Sequence, residues 1–285
     1  MNKKSQGWII WTLIIMFFLV LIIYFQYHDK DVNDLIEIPN LSMPNFSLKE
    51  SSDNFTVANW NLQVFGDTKA DDSFLLFNYM SIISDYDIIF VQELRDKDGD
   101  SFDKLCFLLR GYTCETSSRA GRSTSKEQYG IIYKNNIELI ELEDYNPDEL
   151  DRWERPPIRA VFNVSGYLFT AYNIHTKPSD VPNEMDYLEE IITDEDKGNI
   201  IILGDLNADC DYYDRSEENN FDTWNWLIED DDDTTVGQNI CSYDRIIIND
   251  NMYPEYIDKG IRRKSINSDL SDHYLVWVQL NKIDN

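Results

Sequence analysis

The stretch Asn199-Ile200-Ile201-Ile202-Leu203-Gly204-Asp205-Leu206-Asn207-Ala208-Asp209-Cys210 decides how the rest of the chain is read. Its first half, a short run rich in isoleucine, predicts a buried strand. Its second half puts Asp205, Asn207 and Asp209 at alternating positions where that strand ends. Acid and amide groups at the end of a core strand are costly to desolvate. Asp and Asn also make turns and cap helices, and for an isolated Gly-Asp-x-Asn that reading has equal standing. The other polar clusters of the chain favour a site that handles a hard metal or a phosphate.

Those clusters share one design, in which an apolar run delivers acid, amide or imidazole groups at its end. Trp60-Asn61-Leu62, Val91-Gln92-Glu93, Asn173-Ile174-His175, Tyr243-Asp244-Arg245 and Ser271-Asp272-His273 all fit it. The chain has 3 histidines; His175 and His273 fall in these clusters and His28 lies in the amino-terminal tail. In an α/β protein, strand ends on one rim converge on a cleft.

Around these clusters the pattern alternates. Strands are predicted at Phe55–Gln63, Asp87–Glu93, Tyr112–Thr116, Gln128–Lys134, Ile137–Leu142, Ile158–Val164 and Tyr167–Tyr172, with further strands at Ile200, Cys241 and Leu275. Helices are predicted at Ala70–Ser84, Ser101–Arg110 and Asn183–Lys197. Interleaved helices, strands and hairpins imply an α/β (α+β) body of two packed sheets with helices outside. At 285 residues, with 42% hydrophobic and 13% aromatic content, the chain can bury a substantial core, and the spacing of its runs suits one large domain. The formal charge of -28 repels polyanions at long range, so a nucleic-acid ligand would need locally placed cations.

Lys3 and Lys4 precede an almost wholly apolar stretch from Trp8 to Phe25, about 18 residues, close to what a hydrocarbon core requires. The bulky exit Tyr24-Phe25-Gln26-Tyr27 offers no small-residue cleavage site, so an uncleaved signal anchor is expected over a signal peptide. The lysines predict a cytoplasmic amino terminus and an exported body. The expected organisation is a cytoplasmic tip and transmembrane helix over 1–27, a stalk over 28–53 with Pro39 and Pro44, and a catalytic domain over 54–285.

Four cysteines in an exported body permit disulfides. A Cys210 to Cys241 bridge would close a loop of about 31 residues and contribute roughly 3 to 4 kcal/mol. Cys106 and Cys114, at a helix end and on the next strand, can also fall within bridging distance. Four reduced cysteines are the alternative.

The convergent residue types match the hydrolysis of a phosphodiester. Such a reaction needs a base for water, an acid for the leaving oxygen and a cation for the phosphoryl charge. Two histidines and a carboxylate-bound Mg²⁺ meet these needs. The surroundings of the two imidazoles should separate their pKa values, though the sequence does not say which is base and which acid.

Over residues 55–280 the chain resembles deoxyribonuclease I, within the endonuclease/exonuclease/phosphatase superfamily. The resemblance rests on Trp60 to Gly66, Val91 to Asp96, Lys126-Glu127-Gln128-Tyr129, Arg155-Pro156-Pro157, His175 with Pro178-Ser179-Asp180, Gly204 to Cys210, Cys241 to Ile246 and Ser271 to Tyr274. It implies a four-layered αββα sandwich of two packed mixed β-sheets. It also implies Glu93 as main Mg²⁺ (or Mn²⁺) ligand beside Asn61, with Asp205, Asn207 and Asp272 completing the metal and phosphate site. His175 would be general base or phosphate contact, oriented by Glu127, and His273 the partner acid, held by Asp244. Arg95, Arg122 and Arg155 fall where the family contacts nucleic acid, unless surface acids claim them. Asp233 and Thr235 match a structural Ca²⁺ loop, although the acidic run Glu229–Asp233 also reads as a solvated loop. The Cys210–Cys241 bridge is the branch's own.

Ser125 stands where the family carries a minor-groove aromatic, Leu275 stands where proline is usual, and Cys106 with Cys114 is new. These departures leave the hydrolytic set intact and weaken the expected grip on duplex DNA. The expected function is a membrane-anchored, exported, low-specificity DNA endonuclease with a monomeric catalytic domain. The alternatives are a phosphodiesterase acting on single-stranded DNA, RNA, or phospholipid or sugar-phosphate headgroups, and an inactive surface binding module.

Overall fold

The computed structural model describes residues 53–122, 124–195 and 198–282. The alternation that starts at Phe55 builds β1 (Asn54–Phe65), followed by α1 (Asp67–Ala70), α2 (Ser73–Ile83), β2 (Ile88–Leu94) and α3 (Asp100–Leu108). Four antiparallel-type strands come next, β3 (Tyr112–Thr116), β4 (Gln128–Lys134), β5 (Glu138–Asp144) and β6 (Ile158–Val164), then β7 (Tyr167–His175) and α4 (Val181–Glu195). The chain closes with β8 (Ile200–Asp205), β9 (Asn225–Trp226), β10 (Asp244–Ile248), β11 (Tyr256–Arg262) and β12 (Leu275–Asn281).

The strands form two 6-stranded sheets, ordered β11-β12-β1-β2-β4-β3 and β5-β6-β7-β8-β10-β9. Each sheet is mixed, with a single parallel pair at its centre, β1 with β2 and β7 with β8. A parallel pair needs a crossover, and helices supply it: α1 and α2 link β1 to β2, and α4 links β7 to β8. Between the sheets, Val57, Phe90 and Ile131 meet Phe162, Phe169, Leu203 and Ile246. Tyr79, Ile82, Phe102 and Leu105 of α2 and α3 cover Ala58, Trp60, Ile89 and Val91 on one outer face. Met185, Leu188 and Ile192 of α4 cover Tyr172, Ile174, Ile200 and Ile202 on the other. The order of layers is therefore helix, sheet, sheet, helix.

Side chains alternate along a strand, so one parity of each central strand faces the other sheet. In β1 that parity reads Phe55, Val57, Asn59, Asn61; in β7 it reads Phe169, Ala171, Asn173, His175; in β8 it reads Ile201, Leu203, Asp205. The inter-sheet core turns from apolar to polar at one rim. The antiparallel strands bring their beginnings to the same rim, with Asp244 opening β10, His273 just before β12 and Glu127 just before β4. The opposite end of β1, at Asn54, lies roughly 20 Å from Asn61 along the strand.

Several boundaries differ from the sequence expectation. The helix expected over Ala70–Ser84 is divided: Ala70 ends α1, and the Asp72 carboxylate accepts from the amides of Phe74 and Leu75 to start α2. The strand expected at Cys241 starts at Asp244, because Cys241 is bridged and the Ser242 amide is held by Asp209. β9 and β11 were not expected. The anchor over 1–27 and the stalk over 28–53 lie outside the described residues, apart from Asp53. Among the described residues no helix is long and apolar enough to cross a membrane.

Candidate active site

Two imidazole–carboxylate pairs face each other across the rim. His175 Nδ1 lies 2.6 Å from Glu127 Oε1, and His273 Nδ1 lies 2.7 Å from Asp244 Oδ2. The remaining ring nitrogens both turn to one carboxylate oxygen: Asp205 Oδ2 is 3.3 Å from His175 Nε2 and 3.6 Å from His273 Nε2. Asn61 Nδ2 donates to the same oxygen at 2.9 Å and to Glu93 Oε1 at 3.3 Å. His175, Glu127, Asp205, Asn207, Asp244 and Asn61 are all buried.

Backbone geometry aims these groups. Gly204 is required where β8 runs beside β7, because its φ is +155° and a Cβ there would meet the Ile174 carbonyl oxygen at 1.9 Å. By strict alternation Glu93 would point to the helical face with Ile89 and Val91. Its φ of 61° and the register shift between Val91 and Leu94 break the alternation, and its carboxylate meets Asn61, the Val64 amide and Arg95 instead. Asn207 also takes positive φ, 47°. Left-handed non-glycine residues are strained, and two of them here orient site groups.

Electrostatics favour the charged form of the His273 imidazole. Burial opposes charge on His273, but Asp244, Asp205 and Asp272 outweigh it and lift His273 to about 10. Burial raises Asp244 to about 6, partly offset by His273. Asp205 is also driven up by burial, yet the two histidines and the hydrogen bonds from Asn61 and the Asn207 amide bring it below the usual carboxylate range. Glu127 follows the same logic, with burial overcome by His175, Arg155 and Arg95.

Glu93, Glu127 and His175 bring one ligand atom each within 4.8 Å of one another. Glu127 Oε2 is buried without a hydrogen bond, and the Glu93 side chain keeps 14% exposure at the cleft. These hard oxygen donors fit a divalent cation. The second cluster, Asp209 with Cys210 and Cys241, does not, because the two sulfurs are bonded to each other. Both disulfides form, Cys106–Cys114 and Cys210–Cys241. Asp209 is structural: its carboxylate accepts from the Ser242 amide at 2.6 Å.

The three arginines part company. Arg95 stays at the cleft, 26% exposed, 3.1 Å from Glu93 and 3.3 Å from Glu127. Arg155 turns inward, donating to the carbonyls of His175 at 2.8 Å and Thr176 at 2.6 Å, and so buttresses the strand that carries the histidine. Arg122 pairs with Asp151 at 3.0 Å and with Glu154 at 3.7 Å. Asp272 is 52% exposed beside His273, at 3.8 Å. Asn207 donates its amide to the Thr176 carbonyl at 3.0 Å. Asp233 and Thr235 bond to each other, and the Thr235 hydroxyl also donates to the Asn239 carbonyl. Arg245 is fully buried under Trp226 and holds the carbonyls of Ile228 and Ala208.

Sequence reasoning missed two supports. Asn59 donates to Asp244 Oδ1 at 3.4 Å and accepts from Gln92 at 2.6 Å and Asn173 at 3.1 Å, a buried amide network beneath His273. Its signal was parity, since Asn59 shares the face of Val57 and Asn61. Lys69 in α1 donates to the carbonyls of Leu62 and Gln63 at the end of β1 and of Leu270 in the loop before His273. Burial lowers Lys69 to about 8, against the pull of Asp272 and Glu93.

Two sheets with a polar rim, carrying paired imidazoles and carboxylates, define a phosphoester-cleaving class of the αββα sandwich. The Endonuclease/Exonuclease/phosphatase family profile matches residues 58–273, and the chain belongs to that family. Deoxyribonuclease-1 of Gallus gallus is 33% identical over 214 residues, 67% of this chain and 76% of the relative. Deoxyribonuclease gamma of Homo sapiens is 30% identical over 220 residues, 67% and 71% of the two chains. The chain is thus a deoxyribonuclease I-like phosphodiester hydrolase, of a family that implies dependence on a divalent metal. In fold it is similar to an endonuclease/exonuclease/phosphatase family protein from Leptotrichia buccalis, with a TM-score of 0.60 at 14% identity over 80% of this chain and 99% of that one. A mannosyl-6-phosphatase of Bacteroides thetaiotaomicron gives 0.56 at 18% identity over 79% and 98%.

Proposed function

We propose that the protein is a low-specificity endonuclease that hydrolyses DNA phosphodiester bonds with Mg²⁺ or Mn²⁺. The observation that carries this reading is the convergence of both Nε2 atoms on Asp205 beside Glu93. Relatives named deoxyribonucleases at about a third identity favour nucleic acid over a lipid or sugar headgroup.

In this reading Glu127 holds the His175 ring by Nδ1–H, leaving Nε2 to take a proton from the attacking water. His273, kept protonated by Asp244 and Asp205, donates from Nε2 to the leaving oxygen. Asn61 and Asn207 position Asp205 and the phosphate, and Arg95 faces the backbone. Glu93 beside Asn61, joined in this assignment by Asp205 and Asp272, would hold a divalent cation, which when bound neutralises charge on the phosphoryl oxygens. Asp233 and Thr235 are the proposed Ca²⁺ loop. Residues 8–25 are the proposed anchor, supported by their length, apolarity and flanking lysines, with the monomeric body exported.

The test is nicking of supercoiled plasmid by the purified full-length chain with Mg²⁺. Nicking is expected to vanish in EDTA and in His175→Ala and His273→Ala. Nicking that survives all three changes would overturn the mechanism.

A further inference from the structure

We propose that Tyr212 and Tyr243 form a ledge on which an unpaired nucleobase stacks beside the scissile phosphate, giving the enzyme a preference for single-stranded nucleic acid. The proposal rests on the nuclease reading and names its substrate class. Tyr212 is 40% exposed, and its ring lies 5.5 Å from the Tyr243 ring, tilted 31° to it. Tyr243 in turn lies 6.5 Å from the His273 ring. The two rings thus lead from solvent to the histidine assigned as acid.

The ledge is fixed at both ends. Tyr212 donates its backbone amide to the Asp209 carbonyl at 3.2 Å, and the Tyr243 carbonyl accepts from the Leu206 amide at 3.0 Å. The Cys210–Cys241 bridge ties the two segments together. Aromatic rings on a fixed backbone lose little freedom when a ligand stacks on them.

Charge decides what the ledge accepts. Acidic side chains flank the ledge, Asp211 next to Tyr212 in the chain and Asp209 on the Ser242 amide next to Tyr243, so the rings offer a stacking face and no cation for a phosphate. Elsewhere two of the three arginines expected at a nucleic acid are engaged, Arg122 by Asp151 and Glu154 and Arg155 by main-chain carbonyls, which leaves Arg95 at the cleft. With backbone contacts scarce on a chain of net charge -28, base stacking becomes the main source of affinity. Bases in a duplex are already stacked on their neighbours and offer no free face.

The experiment compares kcat/KM of the full-length protein on a single-stranded oligonucleotide, the matching duplex, and the single strand with abasic positions flanking the cleaved bond. The variants are Tyr212→Ala and Tyr212→Trp. The wild type is expected to favour the intact single strand. Tyr212→Ala should lower its kcat/KM on that strand by about 5- to 150-fold, mostly through KM, and leave the abasic strand unchanged, while Tyr212→Trp retains activity. Equal losses on intact and abasic strands, or no loss on either, overturn the ledge. No cleavage of any nucleic acid by the wild type defeats the nuclease reading instead. The ledge is then judged by fluorescence anisotropy of the intact and abasic strands in EDTA, where wild type and Tyr212→Ala must differ on the intact strand alone.

Discussion

Replacing Cys210 and Cys241 together by alanine removes a cross-link between residues 31 apart, while replacing Cys106 and Cys114 removes one between residues 8 apart. In the chain-entropy treatment the longer loop contributes ~3.7 kcal/mol and the shorter ~2.5 kcal/mol at room temperature. The positions add a second difference. Cys210 follows the segment that holds Asp205 and Asn207, and Cys241 stands just ahead of Asp244, whose register partner is Asp205. The far bridge joins α3 to β3, away from the rim. Guanidinium unfolding followed by tryptophan fluorescence should rank the double variants in that order, separated by about 1 kcal/mol. Plasmid nicking, measured well below both unfolding midpoints, should show reduced kcat only for Cys210→Ala with Cys241→Ala. A reversed order of stability, or an unchanged kcat in that variant, would refute the reasoning.

Three further outcomes are expected. In metal-free protein, NMR titration should find His273 protonated through neutral pH, and Asp244→Asn should lower its pKa. Because the folded value, about 10, exceeds the unfolded value of about 6.5, the stability that the His273 charge contributes is complete below the latter and is lost as pH rises through the former. Asn59→Ala, which strips one partner each from Gln92, Asn173 and Asp244, should cost about 1–3 kcal/mol in urea unfolding and lower kcat with little change in KM. Lys69→Met leaves the Leu62, Gln63 and Leu270 carbonyls without their shared donor, and should lower the unfolding midpoint by the equivalent of about 2–4 kcal/mol.

The central strands were legible because burial imposes a simple pattern on them. Gln128–Lys134 and Ile158–Val164, each inside its sheet, were bounded correctly from apolar runs and turn residues alone, as was the short edge strand Tyr112–Thr116. β11 was not, since Tyr256-Ile257-Asp258-Lys259-Gly260-Ile261-Arg262 is a half-exposed edge strand with no clean alternation. Its Gly260 is explained only by the fold: a Cβ there would lie 2.6 Å from the Trp277 ring. The site was legible where polar groups end a strand, as at Asp205 and His175. It was not legible where partners come from remote loops. Arg155 and Arg122 fall where the family contacts nucleic acid unless surface acids claim them; in the fold Arg155 holds the carbonyls of His175 and Thr176 at the end of β7, and Arg122 pairs with Asp151, 29 residues away. Asn59 gave no local sign of its role because its partners, Gln92, Asn173 and Asp244, lie on three other strands.

The body receives its amino-terminal connection at Asn54, on the pole opposite the rim. That asymmetry prescribes how the enzyme can be mounted on a solid support. Coupling the body to a bead at Asn54 itself leaves the cleft facing bulk solution, open to a long polymer. A linker attached at the rim, next to exposed Asp272, would instead press the cleft against the surface and silence an otherwise intact enzyme.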